Sequence, residues 1–176
     1  ANVQFFDGDI SKWDVSHVTN MYSMFSSTSS FSGDISKWNV SSVTNMYGMF
    51  MGATVFNSDI SKWDVSSVRD MGYMFLGATS FNVDISKWDV SSVETMDHMF
   101  HFAPLFSQTL CGAAWVNSQA SKISMFEDSS GAIARTVCTS PVDTLPREAA
   151  RDAHTTTPPT NARAIGTSAF SPRSKT

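Results

Sequence analysis

The sequence contains no long apolar run. A membrane-spanning helix needs about 20 consecutive apolar residues, and no such stretch occurs among the 176 residues of the chain, so we predict no transmembrane segment. Basic residues are also scarce: residues 1–106 carry eleven acidic and five basic side chains, whereas residues 107–176 carry five and seven. An acidic region argues against nucleic-acid binding, which needs a basic face.

Cysteine is nearly absent. Cys111 and Cys138 are the only two, and both follow the most regular part of the chain. Two thiols are too few for a structural zinc site, which takes about four ligands at short spacings. We therefore favour a Cys111–Cys138 disulfide, with two buried free thiols or a reactive cysteine as alternatives. A disulfide indicates an oxidising compartment.

Patterns that carry catalysis or bind cofactors are missing as well. No set of nucleophile, base and acid recurs or clusters, so we predict no enzyme activity and no catalytic residue. His98 and His101 are three residues apart, but no third ligand recurs with them. The glycine-rich calcium-binding nonapeptide is absent too. We therefore predict no cofactor and no metal site.

The chain does contain one short segment that is repeated four times. DISKWDV occurs at residues 9–15, 59–65 and 84–90, and DISKWNV occurs at 34–40. Apolar residues recur with the same period of 25, in columns that begin with Phe6, Ile10, Trp13, Val15, Val18, Met21, Met24 and Phe25. A fixed period of about 20 to 50 residues marks a solenoid or a similar array. Each unit recurs because it must pack on its own copy.

Spacing within the unit predicts one short strand and one short helix. The apolar positions of residues 18–25 follow i, i+3, i+6 and i+7, which is typical of one helix face, and Ser16 is a suitable N-cap before them. Trp13 and Val15 alternate with a polar residue, as in a strand. We therefore predict an α/β fold: a right-handed, leucine-rich-repeat-like solenoid with one short parallel strand and one short helix per repeat.

The tryptophan column makes this architecture testable. A solenoid must place its members in a single row, and equivalent atoms of adjacent parallel strands lie about 4.8 Å apart. We expect the rings to stack on one another. The members are Trp13, Trp38, Trp63 and Trp88.

The repeat decays towards the C-terminus. Residues 1–106 are predicted to form four tandem repeats, and residues 107–140 a degenerate fifth repeat that acts as a disulfide-braced cap. In this alignment Ala113 replaces the tryptophan, and Trp115 falls in the column of Val90. Terminal repeats need an atypical outer face, which explains the decay.

The two ends of the chain give further expectations. Residues 141–176 are rich in proline, alanine, threonine and arginine and contain one aromatic residue, so we predict a disordered tail; an annotation artefact is the alternative. The chain starts at Ala1 inside a repeat boundary. We interpret it as a fragment or mature form that lacks its N-terminal cap or signal peptide.

The unit FxxDISKWDVSSVTNMxxMF resembles the repeat of BspA-like surface proteins, a branch of the leucine-rich-repeat proteins. The resemblance covers residues 1–106 closely, and the segment from Cys111 to Cys138 is similar to the cap of some of these arrays. It implies an α/β solenoid that is extracellular or on the cell surface, in a family whose studied members are mostly adhesins or host-matrix binders. No catalytic residues come with the family.

Function in repeat proteins usually resides where columns vary. The variable positions predict a partner-binding patch, although neutral drift of a solvated face is the alternative; its residues are Tyr22, Tyr47, Tyr73, Arg69 and His98. Tyrosine is a common interface anchor. Asn39, Val40 and Ser41 form an N-glycosylation sequon.

Two functions are compatible with these features. The first is a non-enzymatic extracellular or cell-surface module that recognises or adheres to an unknown protein or glycan. The second is a structural spacer in a longer surface protein, without a ligand of its own. No oligomeric state is predicted.

Overall fold

The computed structural model describes residues 6–138, so the predicted tail at 141–176 and the last two residues of the predicted cap lie outside the described residues. Three regular elements occur in the described part: strand β1 (Thr109–Leu110), helix α1 (Ala113–Val116) and strand β2 (Ala132–Ile133). The two strands pair in parallel, with Thr109 opposite Ala132 and Leu110 opposite Ile133. All three elements lie in the cap region.

The repeats are coils of turns and bends, and each coil pairs with the next. Single-residue parallel bridges link five of them in sequence: Asn20, Asn45, Asp70, Thr95 and Ser121. Alternate backbone amides then donate to the following coil, as from Met21 to Asn45 at 2.8 Å and from Ser23 to Tyr47 at 2.9 Å. Each coil therefore completes its backbone hydrogen bonds through its neighbour, as expected for a repeat array.

No helix forms at residues 18–25, so this part of the fold prediction is wrong. The segment instead makes successive turns, in which the amide of Ser26 donates to the carbonyl oxygen of Ser23 at 3.1 Å. Ser23 and Ser27 have φ angles of 51° and 61°, a left-handed conformation that an α-helix does not contain. The same two positions of later coils also have positive φ: Gly48 and Gly52, Tyr73 and Gly77, and His98 and Phe102.

The parallel bridges between coils also lie at a different position in the repeat from the predicted strand. The strand expected around Trp13 and Val15 does not form, and the bridges begin at Asn20. The spacing of residues 18–25 therefore reflects which side chains face the interior of a coil, since a coil of three-residue turns gives a similar spacing to a helix. Classification as a right-handed, leucine-rich-repeat-like solenoid stays a prediction.

Phenylalanine columns fill the interior. Phe50, Phe56 and Phe75 have no exposed surface. Phe50 stacks on Phe56 within its coil, with ring centroids 3.9 Å apart, and on Phe75 of the next coil at 5.6 Å. Offset stacking of this kind adds to the stabilisation that burial of the rings already provides.

Each buried tryptophan of the repeats hydrogen-bonds to the preceding coil. The indole N–H groups of Trp38, Trp63 and Trp88 donate to carbonyl oxygens 28 residues earlier at 3.1 Å; the acceptors are Ile10, Ile35 and Ile60. Trp63 contacts the ring of Phe50, with centroids 6.3 Å apart. The row is thus held by hydrogen bonds to isoleucine carbonyls and by phenylalanine contacts, whereas we expected tryptophan-on-tryptophan stacking.

In the cap, Trp115 continues the tryptophan row, although the 25-residue period aligns Ala113 with the tryptophans. The indole N–H of Trp115 donates to the carbonyl oxygen of Ile85 at 3.0 Å, and 1% of its surface is exposed. Trp115 lies in α1, where the chain rises about 1.5 Å per residue compared with about 3.3 Å in an extended segment. The helical turn therefore absorbs two extra residues, so Ala113 is not the replacement for the tryptophan.

Cys111 and Cys138 form a disulfide. The amide of Cys138 also donates to the carbonyl oxygen of Cys111 at 2.9 Å. Because β1 ends just before Cys111 and β2 lies a few residues before Cys138, the bridge closes the cap next to its only sheet among residues 6–138. Neither cysteine is left as a free thiol.

Candidate functional site

The aspartate columns on the surface shape turns. The Oδ1 atom of Asp14 accepts the amide of Ser16 at 3.0 Å and its hydroxyl at 2.6 Å. Six further aspartates accept the amide of the serine two residues later: Asp9, Asp34, Asp59, Asp64, Asp84 and Asp89. These are Asx turns, in which the side chain replaces a backbone acceptor. The repeated carboxylates therefore have a structural role.

These turns predict a loss of stability in acid. The Ser16 hydroxyl, followed by the Ser16 amide, lowers the pKa of Asp14 below its ordinary value of 3.8, and the amide of Ser36 lowers that of Asp34. A pKa that is lower in the folded state stabilises the fold above the unfolded pKa, and this contribution is lost as the pH falls through the folded pKa. We expect the urea concentration at the unfolding midpoint to decrease when the pH is lowered below about 4.

Urea unfolding at pH 7, 5 and 3 measures this effect. The matched variant combines Asp14→Asn and Asp89→Asn, because Asn39 makes the same turn without a charge, accepting the Ser41 amide at 3.2 Å and its hydroxyl at 2.8 Å. The variant should lose less stability between pH 5 and pH 3 than the wild type. Equal midpoints at pH 3 and pH 7 in the wild type would contradict the prediction.

Asn39 is exposed, and it stands where the equivalent coils carry aspartate. On secretion from a eukaryotic cell, we expect an N-linked glycan there, visible as a mass increase that an N-glycanase removes. Asn39→Asp is the matched control, since aspartate makes this turn at Asp14 and Asp64. That variant should keep its fold and lose the mass increase. A secreted wild type of unmodified mass would show that the sequon is not used.

Four of the five residues of the predicted patch form one continuous row on the surface. Ring centroids lie 5.2 Å apart from Tyr22 to Tyr47, 5.2 Å from Tyr47 to Tyr73, and 4.8 Å from Tyr73 to His98. We call this set the aromatic row. Its members come from four successive coils, so the row runs along the array.

The row crosses from one sequence column to the next. Tyr22 and Tyr47 are equivalent, but Tyr73 and His98 stand one position later in their coils. The equivalent of Tyr47 in the third coil is Gly72, where a Cβ atom would lie 3.3 Å from the Tyr47 ring. Tyr73 and His98 have φ angles of 59° and 56°, and their rings take the places that continue the row.

Ring contacts partly cover the inner members of the row. The planes of Tyr22 and Tyr47 are 7° apart with centroids 5.2 Å apart, so each ring covers part of one face of the other. Tyr22 is 59% exposed at the end of the row, whereas Tyr47, Tyr73 and His98 are half-buried. Burial, followed by the neighbouring phenols, raises the pKa of Tyr47. The Tyr47 hydroxyl therefore stays neutral and can donate and accept hydrogen bonds.

Arg69, the fifth residue of the predicted patch, pairs with Glu94 of the next coil. Arg69 Nη1 lies 3.1 Å from Glu94 Oε1, and the two side chains are 66% and 70% exposed. An exposed pair of this kind contributes about 0–1 kcal/mol. Its side chain is thus engaged between coils and makes no ring contact with the aromatic row among the described interactions.

Three residues that the sequence did not place in the patch lie at the cap end of the row: His101, Phe102 and Glu127. His101 lies beside His98, with ring centroids 5.4 Å apart, and its Nδ1 is 3.4 Å from Oε2 of Glu127. Phe102 meets the His101 ring edge-on at 4.2 Å and is 55% exposed. Phe102 carried a signal, because equivalent positions hold Ser27, Gly52 and Gly77. Glu127 carried none, since it falls in the degenerate cap.

These features define a class of protein: a tandem-repeat protein whose near-identical coils stack on one another and whose variable side chains line one surface row. A family model described as "Mycoplasma protein of unknown function, DUF285" matches the chain twice, at residues 1–70 and 34–135. Together the two matches span most of the chain, and the chain belongs to this family.

Other comparisons add no relative. A search of curated proteins and a search of solved structures each return no significant match. Within residues 6–138, none of the helices has the length and apolar character needed to cross a membrane.

Proposed function

We propose that this protein is a non-enzymatic recognition module, extracellular or on the cell surface, that binds a protein partner along the aromatic row. The observation that carries the proposal is the row itself, because variable positions of four coils converge in one continuous strip of tyrosine and histidine. Tyrosine supplies a large contact area and a hydrogen-bonding group, and it is enriched where interfaces bind tightly.

Stacking within the row favours a protein over a glycan. A sugar ring that packs on an aromatic side chain needs a free ring face, and the facing sides of Tyr22 and Tyr47 partly cover each other. What the row offers is a line of partly covered aromatic rings and tyrosine hydroxyl groups. Such a line suits the mixed polar and apolar surface of a protein.

Two further features support the location and the family assignment. The Cys111–Cys138 disulfide suits an oxidising compartment. The recurring DISKWDV unit supports the BspA-like, leucine-rich-repeat branch as the specific family. We therefore propose an extracellular or cell-surface location and membership of the BspA-like branch.

Binding of the immobilised full chain to arrays of extracellular matrix proteins and of glycans tests the function. The test variant combines Tyr22→Ala, Tyr47→Ala and Tyr73→Gly, the last because Gly48 holds that position with a φ of 59°. We expect a protein ligand whose affinity falls at least about 30-fold, as for loss of one hot spot. Lys62→Ala, at an exposed position of the constant DISKWDV unit, is the matched control and should bind as the wild type does.

Each other outcome overturns a part of the proposal. A glycan ligand that is lost in the triple variant would move the function from protein to glycan recognition. A protein ligand that binds the triple variant normally would place the interface elsewhere. No ligand on either array would favour the structural spacer.

A further inference from the structure

Three atoms that can bind a proton or a metal ion converge where the fourth coil meets the cap. The Nδ1 atoms of His98 and His101 are 3.4 Å apart, and Oε2 of Glu127 is 3.4 Å from Nδ1 of His101. A neutral imidazole has a single N–H group, and good hydrogen bonds to nitrogen donors measure about 2.7–3.2 Å. At 3.4 Å, both contacts are therefore longer than a good hydrogen bond donated by an imidazole N–H group.

We propose that His98 and His101 form a chelating pair for a divalent transition-metal ion such as Zn²⁺, with Glu127 as the third protein ligand. Imidazole nitrogen binds zinc at about 2.0–2.1 Å, in tetrahedral sites. Two ligand atoms at that distance and at the tetrahedral angle are about 3.4 Å apart. The Nδ1 atoms of His98 and His101 have this separation, and Glu127 lies close enough to His101 to join the pair after its side chain rotates. The site does not depend on the function proposed above.

The two histidines are held in place, and the glutamate is adjustable. His98 donates its amide to the carbonyl oxygen of Ile123 at 2.8 Å, and its ring packs against Tyr73. The side chain of His101 is only 15% exposed, whereas that of Glu127 is 54% exposed. Within residues 6–138 no three such side chains are already arranged to hold a metal ion. Glu127 therefore has to complete the site by rotating about its own side-chain bonds.

A neighbouring carboxylate, that of Asp97, is already engaged. Oδ1 of Asp97 accepts the hydroxyl of Ser121 at 2.6 Å and the amide of Ile123 at 2.8 Å. Imidazole is a good ligand for zinc, copper and nickel, and one carboxylate adds a compatible oxygen. The ion would join the fourth coil to the cap, so binding should stabilise the folded array.

Isothermal titration of the full chain with Zn²⁺ tests the site. We expect one ion per chain, a rise in the unfolding temperature with zinc, and weaker binding in acid, because the ligands must be deprotonated. His98→Asn and His101→Gln should each weaken binding at least tenfold; asparagine is chosen because it tolerates a positive φ. Glu127→Gln should weaken it by a smaller factor. His17→Ala and His154→Ala, which remove the other two histidines, should change nothing.

Several results would overturn the inference. A wild type that does not bind zinc would contradict it. So would full-strength binding in the His98→Asn and His101→Gln variants. Loss of binding in His17→Ala or His154→Ala would place the site elsewhere. An unchanged affinity in Glu127→Gln would remove Glu127 from the site. Imidazole ¹⁵N shifts of the wild type give an independent readout that needs no variant: zinc should shift Nδ1 of His98 and His101 and leave His17 unmoved.

Discussion

Replacing Trp63 by alanine should lower the free energy of unfolding by about 3–5 kcal/mol, and replacing Trp13 should lower it by only about 1 kcal/mol. Trp63 is 4% exposed, whereas Trp13 is 53% exposed. Trp63→Ala opens a cavity between two coils and also removes the donor to the carbonyl oxygen of Ile35. The carbonyl oxygen of Ile35 keeps the amide of Trp38 as a donor at 3.1 Å, so the cavity accounts for most of the expected cost.

Urea unfolding followed by circular dichroism measures both effects, because tryptophan fluorescence itself changes in the variants. Trp38→Ala and Trp88→Ala extend the comparison, since both residues make the same hydrogen bond as Trp63. They should resemble Trp63→Ala. Equal costs for Trp13→Ala and Trp63→Ala would mean that the tryptophans do not hold neighbouring coils together.

The second large effect should come from removing the disulfide. Cys111 and Cys138 are 27 residues apart, and closing a loop of this length stabilises a protein by about 3–4 kcal/mol in the chain-entropy model. We expect the double variant Cys111→Ser and Cys138→Ser to lose this amount. Because each coil of an array contacts only its neighbours, the loss should appear first in the cap.

Hydrogen exchange resolves where the stability is lost. Amides of β2, such as that of Ala132, which donates to Gln108 at 3.1 Å, should exchange faster in the double variant. The amide of Gly48, which donates to Gly72 at 2.9 Å inside the repeats, should change little. Wild-type protein treated with a reductant is the matched control. If reduced and oxidised wild type unfold at the same urea concentration, the bridge contributes nothing.

The sequence alone was sufficient to find the repeat and its interior. A period of 25 is a property of the sequence, and a residue that packs on its own copy must recur, so columns such as that of Ile35, Ile60 and Ile85 are visible without a structure. All three of these isoleucines are fully buried. The two cysteines could be paired because no others compete, and Tyr22, Tyr47, Tyr73 and His98 stood out as variable residues in an otherwise constant unit.

Local conformation was not determined in this way. The spacing of residues 18–25 is the same for one face of a helix and for the interior side of three-residue turns, so periodicity does not separate the two. The difference lies in the backbone: Ser23 and Ser27 have positive φ, and alternate amides bond to the next coil. Hydrogen bonds between coils join residues about 25 positions apart, and a local pattern contains no information about them.

Only the tertiary structure decided which residues meet at the ends and on the surface of the array. Trp115 takes the tryptophan place because a turn of helix shortens the path, which a fixed-period alignment does not allow for. Tyr47 and Tyr73 share a row although they belong to different columns. Glu127 reaches His101 because the cap stacks on the fourth coil. In each case contact depends on distance in space, whereas the repeat specifies only position along the chain.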